Sequence, residues 1–333
     1  MVNFPDKLNL AQIPTPLQPL DRLSNELGGP RIWIKRDDMT GSAISGNKVR
    51  KLEFVLAEAL AEGADTLITC GGLQSNHCRA TAILGAQLGL KVHLILRGSA
   101  PKELDGNLLL DHLTAAEVSY YPVSEYQHLD KLFGRWQQHY RHQGRHPFSI
   151  PTGASNGTGA WGYINCAREL ADDFIHHQIS PSVIVIATGS GGTQAGLTLG
   201  SHLFQLNTPV LGIAVCDDKD YFLRKVREDM RDWQDRYDQG SMQQVDIEQL
   251  NIHVNDRHIG PGYAKATPEI FSTIRHLAAL EGIILDPVYS GKAFHGLIQE
   301  IRAGQYDDAS DIVFVHTGGL FGLFAQRSQL GLS

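Results

Sequence analysis

The sequence has no C-x-x-C pair, no H-E-x-x-H segment, no run of eighteen apolar residues and no excess of basic charge. Each absence removes a class of protein. Cys70, Cys78, Cys166 and Cys216 lack zinc-type spacing. With no secretory leader to accompany them, they are expected as reduced, buried thiols. The 15 histidines are scattered, with His176 and His177 expected on a solvated helix end, so no metal centre is expected. A formal net charge of −7 speaks against nucleic acid as a partner. Without a long apolar run, no transmembrane helix is expected. Met1 to Asn9 carries Asp6 and Lys7, has no apolar centre, and is too poor in Arg and Ser for a transit peptide. The chain is therefore expected in the cytoplasm.

What is present is an ordinary globular composition, 42% hydrophobic and 20% charged over 333 residues. That suffices for one large or two medium domains. After an arm containing Pro14, Pro16 and Pro19, strand and helix patterns alternate. Strands are expected at 31–35, 65–70, 91–96, 118–121, 148–151, 183–188, 210–215, 283–285 and 311–315. Helices are expected between most of them. Such alternation predicts parallel sheets with right-handed crossovers. Val183 to Thr188 is almost wholly apolar, as in the centre of a parallel sheet. Residues 217–250 read as a polar, helical, solvent-facing excursion. There is no internal repeat and no low-complexity tract.

The stretch Ser45-Gly46-Asn47-Lys48-Val49-Arg50-Lys51 organises the rest. Leu52, Val55, Leu56, Ala59 and Leu60 follow at the amphipathic period, so Lys48 begins a helix and Lys51 shares its face. A cation at a helix N-terminus opposes the dipole and calls for compensation, by a bound anion or by an uncharged Schiff base. A solvated lysine pair is the plainer alternative. Arg36-Asp37-Asp38, just upstream, is either a surface turn or a buried ion cluster bracing this lysine turn.

Three loops share the order strand, glycines and hydroxyls, helix: Gly71 to Asn76, Gly189 to Thr193, and Thr317 to Gly319. Ligands bind at such strand ends in open α/β sheets. Gly189-Ser190-Gly191-Gly192-Thr193 suits a phosphate, because its backbone N–H groups meet a helix N-terminus; a tight turn needing positive φ is the structural alternative. It is neither a Walker A loop nor a dinucleotide fingerprint. Asn76 can cap its helix, face a ligand, or do both. Tyr263 and Tyr289, each in a glycine-rich loop, either pack or line a pocket. A helix-start lysine, a phosphate cradle and hydroxyl-bearing loops, with no metal cluster, are the set that pyridoxal phosphate requires.

The chain resembles the D-cysteine desulfhydrase and 1-aminocyclopropane-1-carboxylate deaminase family, within the tryptophan synthase β-like pyridoxal-phosphate enzymes. The matching segments are Ile34–Asp38, Gly46–Glu53, Gly72–His77, Gly189–Thr193, Leu285–Lys292 and His316–Gly319. They run in family order along nearly the whole chain, and the overall run is most similar to the plant-type desulfhydrases.

The resemblance implies an α/β fold of two open twisted sheet domains (pyridoxal-phosphate fold type II). Residues 48–160 would form a smaller inserted domain and residues 1–47 with 161–333 the larger, with the cofactor between them and a homodimer as the assembly. It implies Lys48 as the Schiff-base lysine, Lys51 as a neighbouring cation, and Asn76 on the cofactor's phenolic oxygen. Gly189, Ser190, Gly191, Gly192 and Thr193 would hold its phosphate. Ser75 would sit near the substrate carboxylate or leaving group, and Tyr263 and Tyr289 would line the substrate pocket. The Cα proton would go to Lys48 or to a pocket tyrosine.

Deaminases of the cyclopropane acid typically carry Glu at position 290 and Leu at position 317. Here Ser290 and Thr317 offer neutral hydroxyls to the pyridine nitrogen. β-Elimination of a good leaving group needs less electron withdrawal than ring opening. The expected activity is therefore elimination of D-cysteine to pyruvate, hydrogen sulfide and ammonia. Cyclopropane-acid deamination, L-cysteate sulfo-lysis and a non-catalytic cofactor-binding protein are the alternatives. Two departures from the family pattern bear on substrate scope: Ala154 stands in a Gly-Gly-Ser turn, and Ser45 replaces a common Gly.

Overall fold

A computed structural model describes residues 2–238 and 244–332. Ten strands occur among them: β1 (Leu17–Pro19), β2 (Arg31–Lys35), β3 (Thr66–Gly72), β4 (Lys91–Arg97), β5 (Glu117–Tyr121), β6 (Pro147–Ser149), β7 (Val183–Thr188), β8 (Val210–Ala214), β9 (His253–Asn255) and β10 (Asp311–Val315). They form two sheets, one ordered β1-β2-β10-β7-β8-β9 and the other β5-β4-β3-β6. All pairings are parallel except the edge strand β1, which runs antiparallel to β2.

The apolar strands are buried on both faces, and side-chain alternation divides them between two cores. Ile32, Ile34, Val183, Val185, Ile312 and Phe314 pack on one face of the larger sheet, against the helices Pro268–Glu281 and Ser290–Arg302. Trp33, Ile184, Ile186, Val313 and Val315 pack on the other, against the helix Gly157–His177. The smaller sheet divides likewise, with Leu67, Leu94 and Leu96 on one side and Ile68, Cys70 and Ile95 on the other.

The helix Asn47–Ala61 joins the sheets. It starts at Gly46, whose φ is 108°. A Cβ there would lie 2.7 Å from the carbonyl oxygen of Thr317, so glycine lets the helix start press on the loop after β10. The Asn47 N–H donates to that same carbonyl at 3.1 Å.

Two expectations are corrected, and one element is added that the sequence reading did not name. Residues 283–285 are not a strand but a connector between the αL cap at Gly282 and the turn at Asp286, with Ile283 and Leu285 buried and Ile284 exposed. The segment from Ser290 continues as a helix to Arg302, with Ala293, Phe294, Leu297, Ile298 and Ile301 buried at helical spacing. The polar excursion is helical only over Lys219–Tyr237 and Ile247–Gln249; its residues 239–243 lie outside those described. No helix among the described residues is long and apolar enough to cross a membrane.

Candidate active site

The carboxyl ends of β3, β4, β7, β8 and β10 surround a cavity of about 310 Å³. Lys48, in the first turn of its helix, lines the cavity. Burial lowers its ammonium pKa to about 8. A Cβ placed on Gly153 would come within 3.3 Å of its Nζ, so the amine lies beside this turn, where the chain holds φ at 66°. The next residue, Ala154, also has positive φ, at 50°. This alanine therefore occupies a conformation that the Gly-Gly-Ser pattern leaves to glycine.

Lys51 does not line the cavity. It is fully buried behind the wall, and its Nζ donates to the Gly153 carbonyl at 2.6 Å and to Ser155 Oγ at 3.1 Å. Burial, then the charge of Lys48, hold its pKa well down, while Asp229 acts in the opposite sense. Ser155 Oγ in turn donates to Ser190 Oγ at 2.8 Å and accepts from the Gly192 N–H at 3.3 Å. Lys51 thus ties the Gly153–Ser155 turn to the Gly189–Thr193 loop. A Cβ on Gly192 would fall 2.5 Å from Lys51 Nζ, which explains the glycine.

The helix Gly192–Leu203 starts at Gly191 with no side-chain cap; beyond the Gly192 N–H, which goes to Ser155, the N–H groups of Thr193 and Gln194 remain for an anion. Ser190 and Thr193 line the cavity beside them. Thr193 Oγ1 accepts from Asn47 Nδ2 at 3.0 Å, linking this loop to the helix start that carries Lys48.

On the facing sheet, Ser75 caps the helix Asn76–Gln87, its Oγ accepting from the Cys78 N–H at 3.2 Å. The cap expected of Asn76 therefore belongs to Ser75. Asn76 Oδ1 accepts from Asn107 Nδ2 at 3.0 Å and from Arg79 Nη1 at 3.4 Å. With its oxygen engaged, Asn76 has its amide donors left for a ligand oxygen in the cavity that it lines.

Thr317 lines the cavity and Ser290 does not. The Ser290 hydroxyl donates to Asp286 Oδ1 at 2.7 Å and accepts from the Asp286 N–H at 3.0 Å. Asp286 itself takes the N–H groups of Val288, Tyr289 and Ser290. Its carboxylate therefore closes a turn and lines no part of the cavity. Tyr263 and Tyr289 both face the cavity.

The Asp37 brace is present. Arg50, one residue past Val49 on the lysine helix, donates to both oxygens of Asp37 at 2.8 and 2.9 Å. It also donates to both oxygens of Glu169 at 2.7 and 2.9 Å. Thr15 and Tyr163 hydroxyls complete Asp37. Arg36 and Asp38 form the more exposed pair at 2.7 Å.

Sequence reasoning gave no site role to several lining residues, and Arg97 and Asp217 it missed altogether. His77 is buried, with Nε2 2.8 Å from Thr69 Oγ1 and no partner at Nδ1. Burial, then the charges of Lys48 and Lys51, keep its pKa well below the usual value. Arg97, Gly153 and Asp217 line the cavity as well. Arg97 is findable as a cation immediately past the expected strand 91–96 and before Gly98.

The cavity fits pyridoxal phosphate on its own features. It has one amine of lowered pKa, an uncapped helix start with adjacent hydroxyls for a phosphate, an oriented amide donor at Asn76, and a hydroxyl at Thr317. Side chains at Gly153 or Gly189 would obstruct it: a Cβ on Gly189 would meet the Tyr289 ring at 2.9 Å.

Residues 8–318 match the family described as "Pyridoxal-phosphate dependent enzyme". The chain is 42% identical to the putative 1-aminocyclopropane-1-carboxylate deaminase of Thermotoga maritima, over 97% of this chain and 99% of that one. It is 42% identical to the mitochondrial bifunctional D-cysteine desulfhydrase/1-aminocyclopropane-1-carboxylate deaminase of Arabidopsis thaliana, over 97% and 80%. It is 40% identical to a D-cysteine desulfhydrase of Klebsiella pneumoniae, over 99% and 98%. A solved structure of an ACC deaminase homologue superposes with a TM-score of 0.87 at 36% identity, over 98% of this chain and 95% of that one. At 16% identity and a TM-score of 0.65, a threonine deaminase shares the fold, over 92% of each chain. The fold is thus the two-sheet α/β arrangement of the type II pyridoxal-phosphate enzymes.

Proposed function

Because this chain belongs to the pyridoxal-phosphate-dependent enzymes, we propose that it is a lyase acting on D-cysteine, with pyruvate, hydrogen sulfide and ammonia as products. The observation that carries the substrate choice is at Thr317. A neutral hydroxyl faces the cavity there, while Ser290 and Asp286 are bonded to each other outside it. Bound in this cavity, pyridoxal phosphate would supply the electron sink for the pair left at Cα.

The chain's own residues would do the rest. Lys48 would carry the cofactor and, as a neutral amine, accept the Cα proton. The start of the helix Gly192–Leu203, with Ser190 and Thr193, would hold the phosphate, and Lys51 would keep the neighbouring turn in register behind it. Asn76 would donate to the phenolic oxygen, and Thr317 would face the pyridine nitrogen. Ser75 and the two tyrosines would orient the substrate, with a tyrosine hydroxyl as the other candidate for the Cα proton. The segment 48–160 is read as a smaller unit set into the rest, and the active protein as a cytoplasmic homodimer.

A second reading, deamination of 1-aminocyclopropane-1-carboxylate, is favoured by the 42% identity to a bifunctional relative. The test sets pyruvate release from D-cysteine beside ketobutyrate release from the cyclopropane acid. Activity on D-cysteine alone supports the Thr317 argument. Activity mainly on the cyclopropane acid overturns it. Lys48→Ala is expected to abolish both; retained turnover would remove Lys48 from the reading.

A further inference from the structure

Arg97 is a cation that the cofactor does not need. It closes β4 on the wall opposite the phosphate-type loop and lines the same cavity as Lys48, Ser75 and both tyrosines. Its guanidinium carbon lies 5.0 Å from the ring centre of Tyr263 and 5.7 Å from that of Tyr126. Among the described residues these rings are its side-chain partners, with no carboxylate at ion-pair distance. Asp217, the carboxylate lining the cavity, is not paired with it.

Two tyrosine rings flank the half-buried guanidinium. The N–H donors of its edge remain for a ligand, and arginine presents them in a fixed plane. The neighbouring backbone sets the height of this group. Arg97 pairs in register with Gly72, and a Cβ on Gly72 would touch the Tyr263 ring at 3.3 Å. Guanidinium, ring and the Ser75 turn are therefore packed as one surface. The cradle at Gly189–Thr193 and the amine of Lys48 account for the cofactor's anion and aldehyde. Arg97 is left facing whatever the substrate brings.

We propose that Arg97 receives the negative charge of the group that leaves from Cβ of the substrate, and so selects amino acids whose β-substituent departs as an anion. The proposal rests on the elimination reading above. In that step the Cα–H bond breaks and its proton goes to the base. The electron pair left at Cα forms the Cα–Cβ double bond. The Cβ–S bond breaks with both electrons going to sulfur, which leaves as hydrosulfide beside the guanidinium. Water then converts the enamine to pyruvate and ammonia. Preorganised donors aimed at a developing charge are worth about 10²–10³ in rate.

The test compares wild type, Arg97→Met and Arg97→Lys on D-cysteine, whose leaving group is basic, and on β-chloro-D-alanine, whose leaving group is not. For Arg97→Met, kcat/KM on D-cysteine is expected to fall by about 10²-fold, with a several-fold smaller loss on the chloride substrate and partial recovery in Arg97→Lys. Equal losses on both substrates would place Arg97 on the α-carboxylate or in a purely structural role and overturn the proposal.

A binding arm separates this failure from failure of the desulfhydrase reading. The loaded protein is titrated with D-cysteate, which carries a fixed β-sulfonate, and with D-alanine, which carries none, following the cofactor's visible band. Arg97→Met is expected to weaken D-cysteate at least tenfold more than D-alanine, whether or not D-cysteine is turned over. Equal weakening of the two would sink the role of Arg97 even in an active desulfhydrase.

Discussion

The hydroxyl oxygens of Tyr263 and Tyr289 stand 2.7 Å apart, and their rings meet edge to face with centres 6.0 Å apart. Burial raises both phenols, but the shared hydrogen bond acts on them in opposite senses. It favours ionisation of Tyr263 and disfavours that of Tyr289. Tyr263 is therefore the member of the pair that gives up its proton more readily. Tyr289→Phe removes the shared hydrogen bond and should push the ionisation of Tyr263 upward. A positioned proton-transfer group is worth about 10²–10⁴ in rate, so either single Phe variant should lose activity in that range. The double variant should lose little more than the worse single one, since the two act as a unit. A double-mutant cycle on kcat/KM decides this; additive losses would show two independent roles.

Lys48 leads to a pH prediction in the cofactor-free protein. Its folded pKa of about 8 lies below the ordinary 10.5, because burial disfavours the ammonium. Only the neutral amine is nucleophilic. The rate of pyridoxal-phosphate uptake should therefore rise about tenfold per pH unit below 8 and level off above it, read as growth of the visible band. The linkage has a definite sign. Between pH 8 and 10.5 the unfolded chain holds more protons at this group, so its contribution to stability rises with pH. Lys48→Met should flatten that part of the stability profile. An uptake rate still climbing at pH 10 would mean that the amine is not depressed.

Much of the local order is legible in the sequence. The alternation of apolar strands with glycine-ended helices gives nearly every strand of both sheets, and the turn before Lys48 gives the helix start. Which strands join is not legible. β2 pairs with β10 across some 280 residues, Ile32 beside Ile312, and no local pattern records it. The run 283–285 has the composition of a strand, but three apolar residues are equally suited to a connector that buries only its first and last side chains. The helix from Ser290 carries its period in Ala293, Phe294, Leu297, Ile298 and Ile301. Within the site, the glycine loops and Lys48 are legible as chemistry. The partition between Thr317 in the cavity and Ser290 outside it depends on Asp286, and the placing of Arg97 depends on a ring from residue 263. Both are tertiary facts.

Asp37 and Arg50 make the lysine helix sensitive to a residue that touches no ligand. Burial alone would raise the Asp37 carboxyl. The charge and hydrogen bonds of Arg50, with a further bond from Tyr163, hold it below the usual range. Its stabilising contribution is thus present above pH 4 and lost as pH falls through the depressed value. Asp37→Asn leaves Arg50 only half compensated in a dry site, a change worth about 3–5 kcal/mol. Urea denaturation should show that loss in the cofactor-free protein, together with weaker cofactor binding because Arg50 anchors the helix that carries Lys48. A loss under about 1 kcal/mol would mean that Glu169 alone suffices to hold Arg50.

Lys292 sets an upper pH limit on the same site. Its Nζ donates to three carbonyls, Val215 at 3.1 Å, Ile259 at 2.8 Å and Gly262 at 2.6 Å. Val215 lies just past β8, while Ile259 and Gly262 flank the turn leading to Tyr263. One ammonium with three donors therefore fastens the tyrosine loop to the sheet. Burial lowers its pKa to about 8, against the pull of Cys216 and Asp286. Above that pH a neutral amine has two protons for three carbonyls, and one contact is lost. Because the folded value is the lower one, the overall fold gains rather than loses stability through this group as pH rises; the effect is confined to the loop. Turnover should accordingly decline with a midpoint near pH 8, opposite in sense to the Lys48 limb. Lys292→Arg, which stays charged, should move that decline several pH units upward. Lys292→Met should show raised KM at every pH and faster amide exchange over residues 259–263. An alkaline decline unchanged in Lys292→Arg would assign it to a different group and leave the loop's attachment independent of charge.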